Sequence, residues 1–238
     1  MNKLINNVII NSSLQILFTY EWLNDECINF MGHIMNIRSH VQAKYEGTRP
    51  SFFVSTYFAT KLLGSDLTSF NYNQIKKWTL RSPFCNLFDE YHRIFIPINI
   101  NMEHWTLVVI NIFEQNIQYF DSSPGGKIFD WKHHPVIRIF EFLILLAKES
   151  ADNDGSSHFL EFFNEWKFYF EKDMNNNNTN QKGGMHPQIK YAFQQNTYDC
   201  GMFVLVTAEI LSTSLTYPID LTTHLGIQTV NKKTTDLL

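Results

Sequence analysis

The stretch Phe193-Gln194-Gln195-Asn196-Thr197-Tyr198-Asp199-Cys200-Gly201-Met202-Phe203 sets a cysteine between a polar, turn-forming approach and an apolar run that continues from Met202 to Leu211. It reads as a loop feeding a helix whose first turn holds Cys200. A free thiol has a pKa near about 8.5 and is mostly protonated at neutral pH. A helix N-terminus and a neighbouring imidazolium are two physical means of favouring the thiolate. Gly201, with no side chain, lets a carbonyl carbon approach the sulfur and the adjacent backbone amides. A cysteine met alone reads as a small buried hydrophobe; the polar approach from Gln194 to Asp199 argues against that here.

Working outward, the partners a nucleophilic thiol needs lie upstream. His104 begins the apolar run His104 to Phe113, where two-residue alternation sends Trp105 to the side opposite the imidazole. Asn116 to Asp121 is the next strand, with Glu114-Gln115 as the turn between them, and a tight turn brings His104 and Asp121 side by side. An Asp beside a His fixes its tautomer and stabilises the imidazolium. Taken singly, a strand-end His and an Asp before Ser122-Ser123-Pro124 read as structural, the Asp as a turn cap; their joint placement makes them a base and its orienter. Gln194 can fold back to offer amide hydrogens to an oxyanion, with Gln195 as the competing residue. Both also fit as solvated loop side chains.

At 238 residues, 44% apolar and 15% aromatic, the chain can bury a sizeable core, and it is expected to form a single domain over residues 1–238. A formal net charge of -4 with no long basic block argues against nucleic acid or an anionic membrane as partner. Cys27, Cys85 and Cys200 are too widely spaced for a disulfide framework or a metal site, which points to an intracellular, reducing compartment and to no metal or organic cofactor. Met1 to Ile10 does not resemble an export signal. Val136 to Ala147 is interrupted by Arg138 and Glu141, well short of the roughly 20 residues of a membrane span.

Apolar spacing predicts a helix over Glu26 to Arg38, capped by Asn24 or Asp25, and a shorter one over Val54 to Leu63. Arg93 to Ile100 reads as the first of three consecutive strands. Pro135 opens a helix through about Lys148. His158 to Phe170 is ambiguous between strand and helix, with Trp166 as core anchor. Residues 173–184, carrying Asn175-Asn176-Asn177-Asn178 and Gly183-Gly184, read as a flexible insertion. There are no internal repeats.

Four segments, Glu21-Trp22-Leu23-Asn24-Asp25, His104-Trp105, Tyr119-Phe120-Asp121-Ser122 and Gln194 to Gly201, resemble in order and spacing the ubiquitin-like-protein-specific protease family, the sentrin (SUMO) proteases. The resemblance spans residues 22–211. It implies a papain-like α+β fold, a central mixed or antiparallel sheet flanked by helices with the nucleophile at a helix N-terminus. It also implies His104 as base, Asp121 as orienter, Gln194 as oxyanion donor and Cys200 as nucleophile. Trp22 and Trp105 would flank a narrow tunnel over the substrate tail, where two indole faces admit a Gly-Gly backbone and exclude larger side chains. Core packing is the competing reading, strongest for Trp22. Asp25 is similar to a position that contacts the modifier, and would otherwise cap the following helix. Thr197 and the Asn-rich insertion depart from the family pattern without touching the four catalytic positions.

The implied activity is that of a monomeric cysteine isopeptidase and C-terminal processing peptidase acting after the Gly-Gly of a ubiquitin-like modifier. SUMO is the first expectation, the Nedd modifier or ubiquitin the second. Acetyl transfer from coenzyme A, which would not need the tryptophan pair, and a catalytically silent binding module for a ubiquitin-like protein are the readings from other classes.

Overall fold

The computed structural model describes residue 16 and residues 21–81, 84–124, 131–154, 162–170, 189–213 and 219–220. The expected flexible insertion at 173–184 lies outside the described residues.

In chain order the elements are α1 (Asp25–Glu46), β1 (Phe52–Phe53), α2 (Thr56–Leu63), α3 (Tyr72–Thr79), α4 (Leu87–Glu90), β2 (Arg93–Ile100), β3 (His104–Asn111), β4 (Asn116–Phe120), α5 (Pro135–Asp154), β5 (Lys167–Phe170), β6 (Ile189–Lys190), α6 (Cys200–Thr213) and β7 (Ile219–Asp220). Strands β1 to β5 form one sheet in sequence order. The central pairs β2–β3 and β3–β4 are antiparallel, and the flanking pairs β1–β2 and β4–β5 are parallel. This is the mixed sheet of an α+β fold that the sequence led us to expect.

Period-two alternation sorts the strand side chains between two cores. Ile94, Ile96, Ile98, Ile100, Val108 and Ile110 face a core shared with α2, α3 and α5, where Phe58, Phe84 and Phe142 pack ring against ring. Phe95, Trp105, Leu107 and Val109 face the other, closed by Cys27, Ile28 and Met35 of α1 and by Phe203, Val204 and Ala208 of α6. Each fully buried Leu, Ile or Phe contributes roughly 1.5–3 kcal/mol of transfer free energy. The sheet is therefore held from both sides, and α6 is pinned over β3.

Helix α1 settles the choice of cap. Asn24 is the N-cap, its side chain accepting from the Cys27 amide at 3.0 Å, and Asp25 is the first helical residue. The helix runs well past Arg38, to Glu46, and stops at Gly47 in the left-handed region with φ 67°. Periodicity fades after Arg38 because Val41 and Tyr45 face solvent, so the apolar pattern that ends the expected helix does not end the real one. Asn36 of α1 pairs with the β1 backbone as a strand would, donating to the Phe53 carbonyl and accepting from its amide. Short β1, with few residues and an edge position, gave no periodic signal. Helix α5 extends to Asp154 rather than Lys148, β3 ends at Asn111, and β5 resolves Lys167–Phe170 as strand, with Trp166 buried beside it as expected.

Two turns decide where the chemistry sits. The β2–β3 connection places Asn101 and Met102 at φ 54° and 61°, a tight reversal that makes His104 the first residue of β3, opposite Ile100. Gln115, at φ 50°, closes the β3–β4 turn expected at Glu114-Gln115 and aligns Leu107 with Phe120. The start of β3 and the end of β4 are thereby neighbours at one edge of the sheet.

Candidate active site

His104 and Asp121 meet at that edge, with His104 Nε2 at 2.7 Å from Asp121 Oδ1. Asp121 has no solvent exposure. The same Oδ1 accepts from the Ser123 amide at 2.9 Å, so the carboxylate is both turn cap and imidazole partner. The two readings that competed in the sequence are both satisfied by one side chain.

With Nε2 committed to Asp121, Nδ1 is left for the thiol. Burial works to lower the His104 pKa, but hydrogen bonds to Asp121 and to Cys200, with the charges behind them, outweigh it and raise the value to about 9. The imidazolium is thus the resting form at neutral pH. Cys200 is the first residue of α6. At 1% exposure it lies at the bottom of the site rather than on its rim.

Gly201 has a packing role that the sequence reading did not contain. A Cβ built there would lie 2.9 Å from Leu23 Cβ, closer than real contacts allow. Its missing side chain is used for the close approach of α6 to the segment before α1.

The glutamines separate cleanly. Gln194 is 7% exposed and faces inward, while Gln195 is exposed to solvent. The Gln194 carboxamide donates from Nε2 to the Asn196 carbonyl at 2.7 Å and accepts at Oε1 from the Ser122 hydroxyl at 2.6 Å. Its backbone amide also donates to the Ser122 carbonyl at 2.8 Å. Asn196 organises the rest of the approach. Its Oδ1 accepts from the amides of Tyr198 and Asp199, and its Nδ2 donates to Asp199 Oδ2 at 2.7 Å. Ser122 and Asn196 had no individual roles in the sequence reading. The signal for Asn196 was its fitness for an Asx turn two residues ahead; nothing local marks Ser122, whose partner is distant in sequence.

The two tryptophans differ in burial. Trp22 is 45% exposed and Trp105 only 3%. Trp105 Nε1 donates to the Leu23 carbonyl at 2.7 Å, tying the strand to the segment that carries Trp22. Core packing, the competing reading set mainly against Trp22, applies to Trp105 instead, because alternation turns Trp105 into the α1/α6 core while Leu23 takes the buried place beside Trp22. Asp25, displaced from the cap by Asn24, makes no hydrogen bond or ion pair among the described residues. No group of three or more metal-ligating side chains occurs among the described residues, and none of their helices is long and apolar enough to cross a membrane.

Residues 21–233 match the model of the Ulp1 protease family, C-terminal catalytic domain. Ubiquitin-like-specific protease 1A of Arabidopsis thaliana is 32% identical over 209 residues, which cover 87% of this chain and 35% of that protein. Sentrin-specific protease 2 of Rattus norvegicus is 31% identical over 216 residues, covering 91% and 30%. The chain thus spans about a third of the length of these curated relatives. Among solved structures, the C-terminal Ulp1 protease domain in complex with Smt3, described as the yeast ortholog of SUMO, superposes with a TM-score of 0.55 at 21% identity, covering 90% of this chain and 77% of that one. That likeness establishes the fold.

Proposed function

The chain belongs to the Ulp1 protease family, and from that premise we propose that it is a cysteine isopeptidase and C-terminal processing peptidase that cuts after the Gly-Gly of SUMO. The observation that carries the reading is the 2.7 Å His104–Asp121 pair beside a cysteine at a helix N-terminus. Relatives named for sentrin, and a fold relative solved with a SUMO ortholog bound, support SUMO as the modifier.

In this reading the Cys200 thiolate attacks the Gly carbonyl carbon, and the oxyanion forms toward Gln194 and the amides at the start of α6. The intermediate collapses with scission of the C–N bond, and the His104 imidazolium gives its proton to the departing lysine amine. Neutral His104 then takes a proton from water, which attacks the thioester carbonyl and releases a free C-terminal carboxylate and the thiolate. Every step uses groups of this chain and water. A sulfur at the floor of the site suits an extended tail without side chains, with Trp22 as its exposed wall, Trp105 holding the segment beneath, and Asp25 free to contact the body of the modifier. A mechanism needing a free thiolate belongs in a reducing, intracellular setting, and the chain acts as one catalytic domain and a monomer.

The test is a panel of SUMO, the Nedd modifier and ubiquitin, each carrying a C-terminal vinyl electrophile, offered to the protein and to Cys200→Ala. SUMO is expected to label fastest, with no adduct on the variant. Faster labelling by another modifier would transfer the substrate assignment to it. Labelling by none of them, with acetyl-coenzyme A acetylating Cys200 instead, would overturn the peptidase reading.

A further inference from the structure

The orientation of the Gln194 amide is decided by its neighbours. A backbone carbonyl can only accept, so the end of the carboxamide that faces the Asn196 carbonyl at 2.7 Å must be the NH2 group. The oxygen end therefore faces Ser122, and at 2.6 Å the hydroxyl must be the donor. Oε1 and one N–H are spent, which leaves a single N–H on Nε2 for anything else. Ser122 is 1% exposed, so its hydroxyl is shielded from bulk solvent.

We propose that Ser122 is a positioning residue for oxyanion stabilisation: its hydroxyl, with the Asn196 carbonyl, clamps the Gln194 amide so that one N–H stays directed at the oxygen that becomes negative during acyl transfer. This rests on the peptidase reading above. Without the hydroxyl the amide keeps one anchor and gains a rotational freedom about χ3 that sp2 ends possess. The buried Oε1 is also left without a donor, which favours turning it away.

The position of Ser122 in the chain makes the device economical. It directly follows Asp121, which holds His104, and its own carbonyl receives the Gln194 amide at 2.8 Å. Two consecutive residues past β4 thus set the imidazole through one side chain and the oxyanion donor through the next.

The experiment measures two rates on wild type, Ser122→Ala, Gln194→Ala and the double variant. Alkylation of Cys200 by iodoacetamide across pH reads the ionised thiol and its imidazole, and forms no oxyanion. Hydrolysis of a fluorogenic SUMO C-terminal amide reads the whole reaction. Ser122→Ala is expected to lower kcat on the order of tenfold with KM within about two-fold, since an interaction made only in the transition state is lost. Its alkylation rate and pH profile should stay at wild-type values. Added to Gln194→Ala, it should cost nothing further, because both changes remove the same contact.

Full wild-type hydrolysis by Ser122→Ala, losses that multiply in the double variant, or alkylation that falls in step with hydrolysis would each overturn the clamp. Wild-type protein that hydrolyses no modifier amide would instead bring down the peptidase reading, and the clamp with it. Wild-type turnover separates the two failures.

Discussion

The two ends of the central sheet each hold a histidine under partial burial, and they push it in opposite directions. At the end where β3 begins, His104 faces a fully buried carboxylate and a thiol and is raised to about 9. At the end where β2 begins, His92 is lowered to about 4, chiefly by burial and next by the adjacent Arg93 guanidinium, with Arg49 adding in the same direction and Glu114 opposing. Both imidazoles lose water; only His104 gains a hydrogen-bonded carboxylate that outweighs the loss. Burial by itself disfavours the imidazolium, and the partner decides the outcome.

The surroundings differ in the same sense. His92 lines an open hollow of about 440 Å³ with Gly47, Thr48, Arg49 and Phe113. The Arg49 guanidinium there is already used, lying 5.0 Å from the Phe113 ring centre and donating to the Phe88 carbonyl. The His104 end is cross-linked by side-chain hydrogen bonds. Ser122, Gln194, Asn196 and Asp199 are joined by hydrogen bonds, with Asp121 preceding the first and Cys200 following the last in sequence.

The largest test of this contrast pairs the histidines. His104→Ala should reduce kcat/KM for a SUMO C-terminal amide on the order of 10⁴-fold or more, the scale seen when a member of a catalytic triad is removed. His92→Ala should stay within about two-fold of wild type, as a change remote from the reacting atoms. Comparable losses at both ends would break the comparison outright.

Asp121→Asn comes next. The amide keeps the shape and an acceptor oxygen but not the charge that holds the imidazolium, so kcat should fall on the order of 10³-fold. NMR titration of the His104 ring should move down from about 9. An unmoved titration would show that the carboxylate is not what raises it.

Glycines at the two ends offer a smaller contrast. Gly201→Ala forces a methyl to 2.9 Å from Leu23 Cβ, and Leu23 in turn anchors Trp105. A stability loss of about 1–3 kcal/mol is expected from the overpacking, with a kcat several-fold lower as α6 shifts. Gly47→Ala meets no atom within 4 Å but must keep φ 67°. It should cost about 1–2 kcal/mol of stability and leave kcat unchanged. Urea unfolding beside steady-state turnover measures both.

These contrasts also explain what the sequence could convey. The His104 edge was legible because each residue's placement follows from short-range rules: His104 opens a strand, Asp121 directly follows the next, and Cys200 follows a polar loop into an apolar run. The family resemblance supplied the same residues through their order and spacing. What stayed hidden depends on contacts distant in sequence. Ser122 finds Gln194 across 72 positions, and no local pattern announces that. The contact of Gly201 with Leu23 stayed hidden because Leu23 is brought there only by the packing of α1 against α6. The burial of Trp105 stayed hidden for a similar reason: alternation specifies that it faces away from His104, but which face is covered is set by the helices. The solvent-facing half of α1 and the two-residue β1 carry too little apolar periodicity to be read at all.

The smallest expected effect is on stability against pH, and it tests the contrast without any substrate. His104 has a folded pKa of about 9, above its ordinary 6.5. The folded state therefore holds more protons than the unfolded chain between those values, and the stabilisation is complete below 6.5 and lost as pH rises through 9. His92 is the reverse. Its folded pKa of about 4 lies below 6.5, so the unfolded chain binds the extra proton, and the contribution present above 6.5 is lost as pH falls towards 4. Wild-type protein should consequently be most stable around neutrality, with urea midpoints falling on both sides. Carboxylates also titrate on the acid side, so the informative quantity is the difference between wild type and a variant. His92→Asn should flatten the acid limb alone, and Asp121→Asn the alkaline limb. A His92→Asn variant that flattened the alkaline limb would mean that the two ends of the sheet are electrostatically coupled, and the separation drawn between them would have to be abandoned.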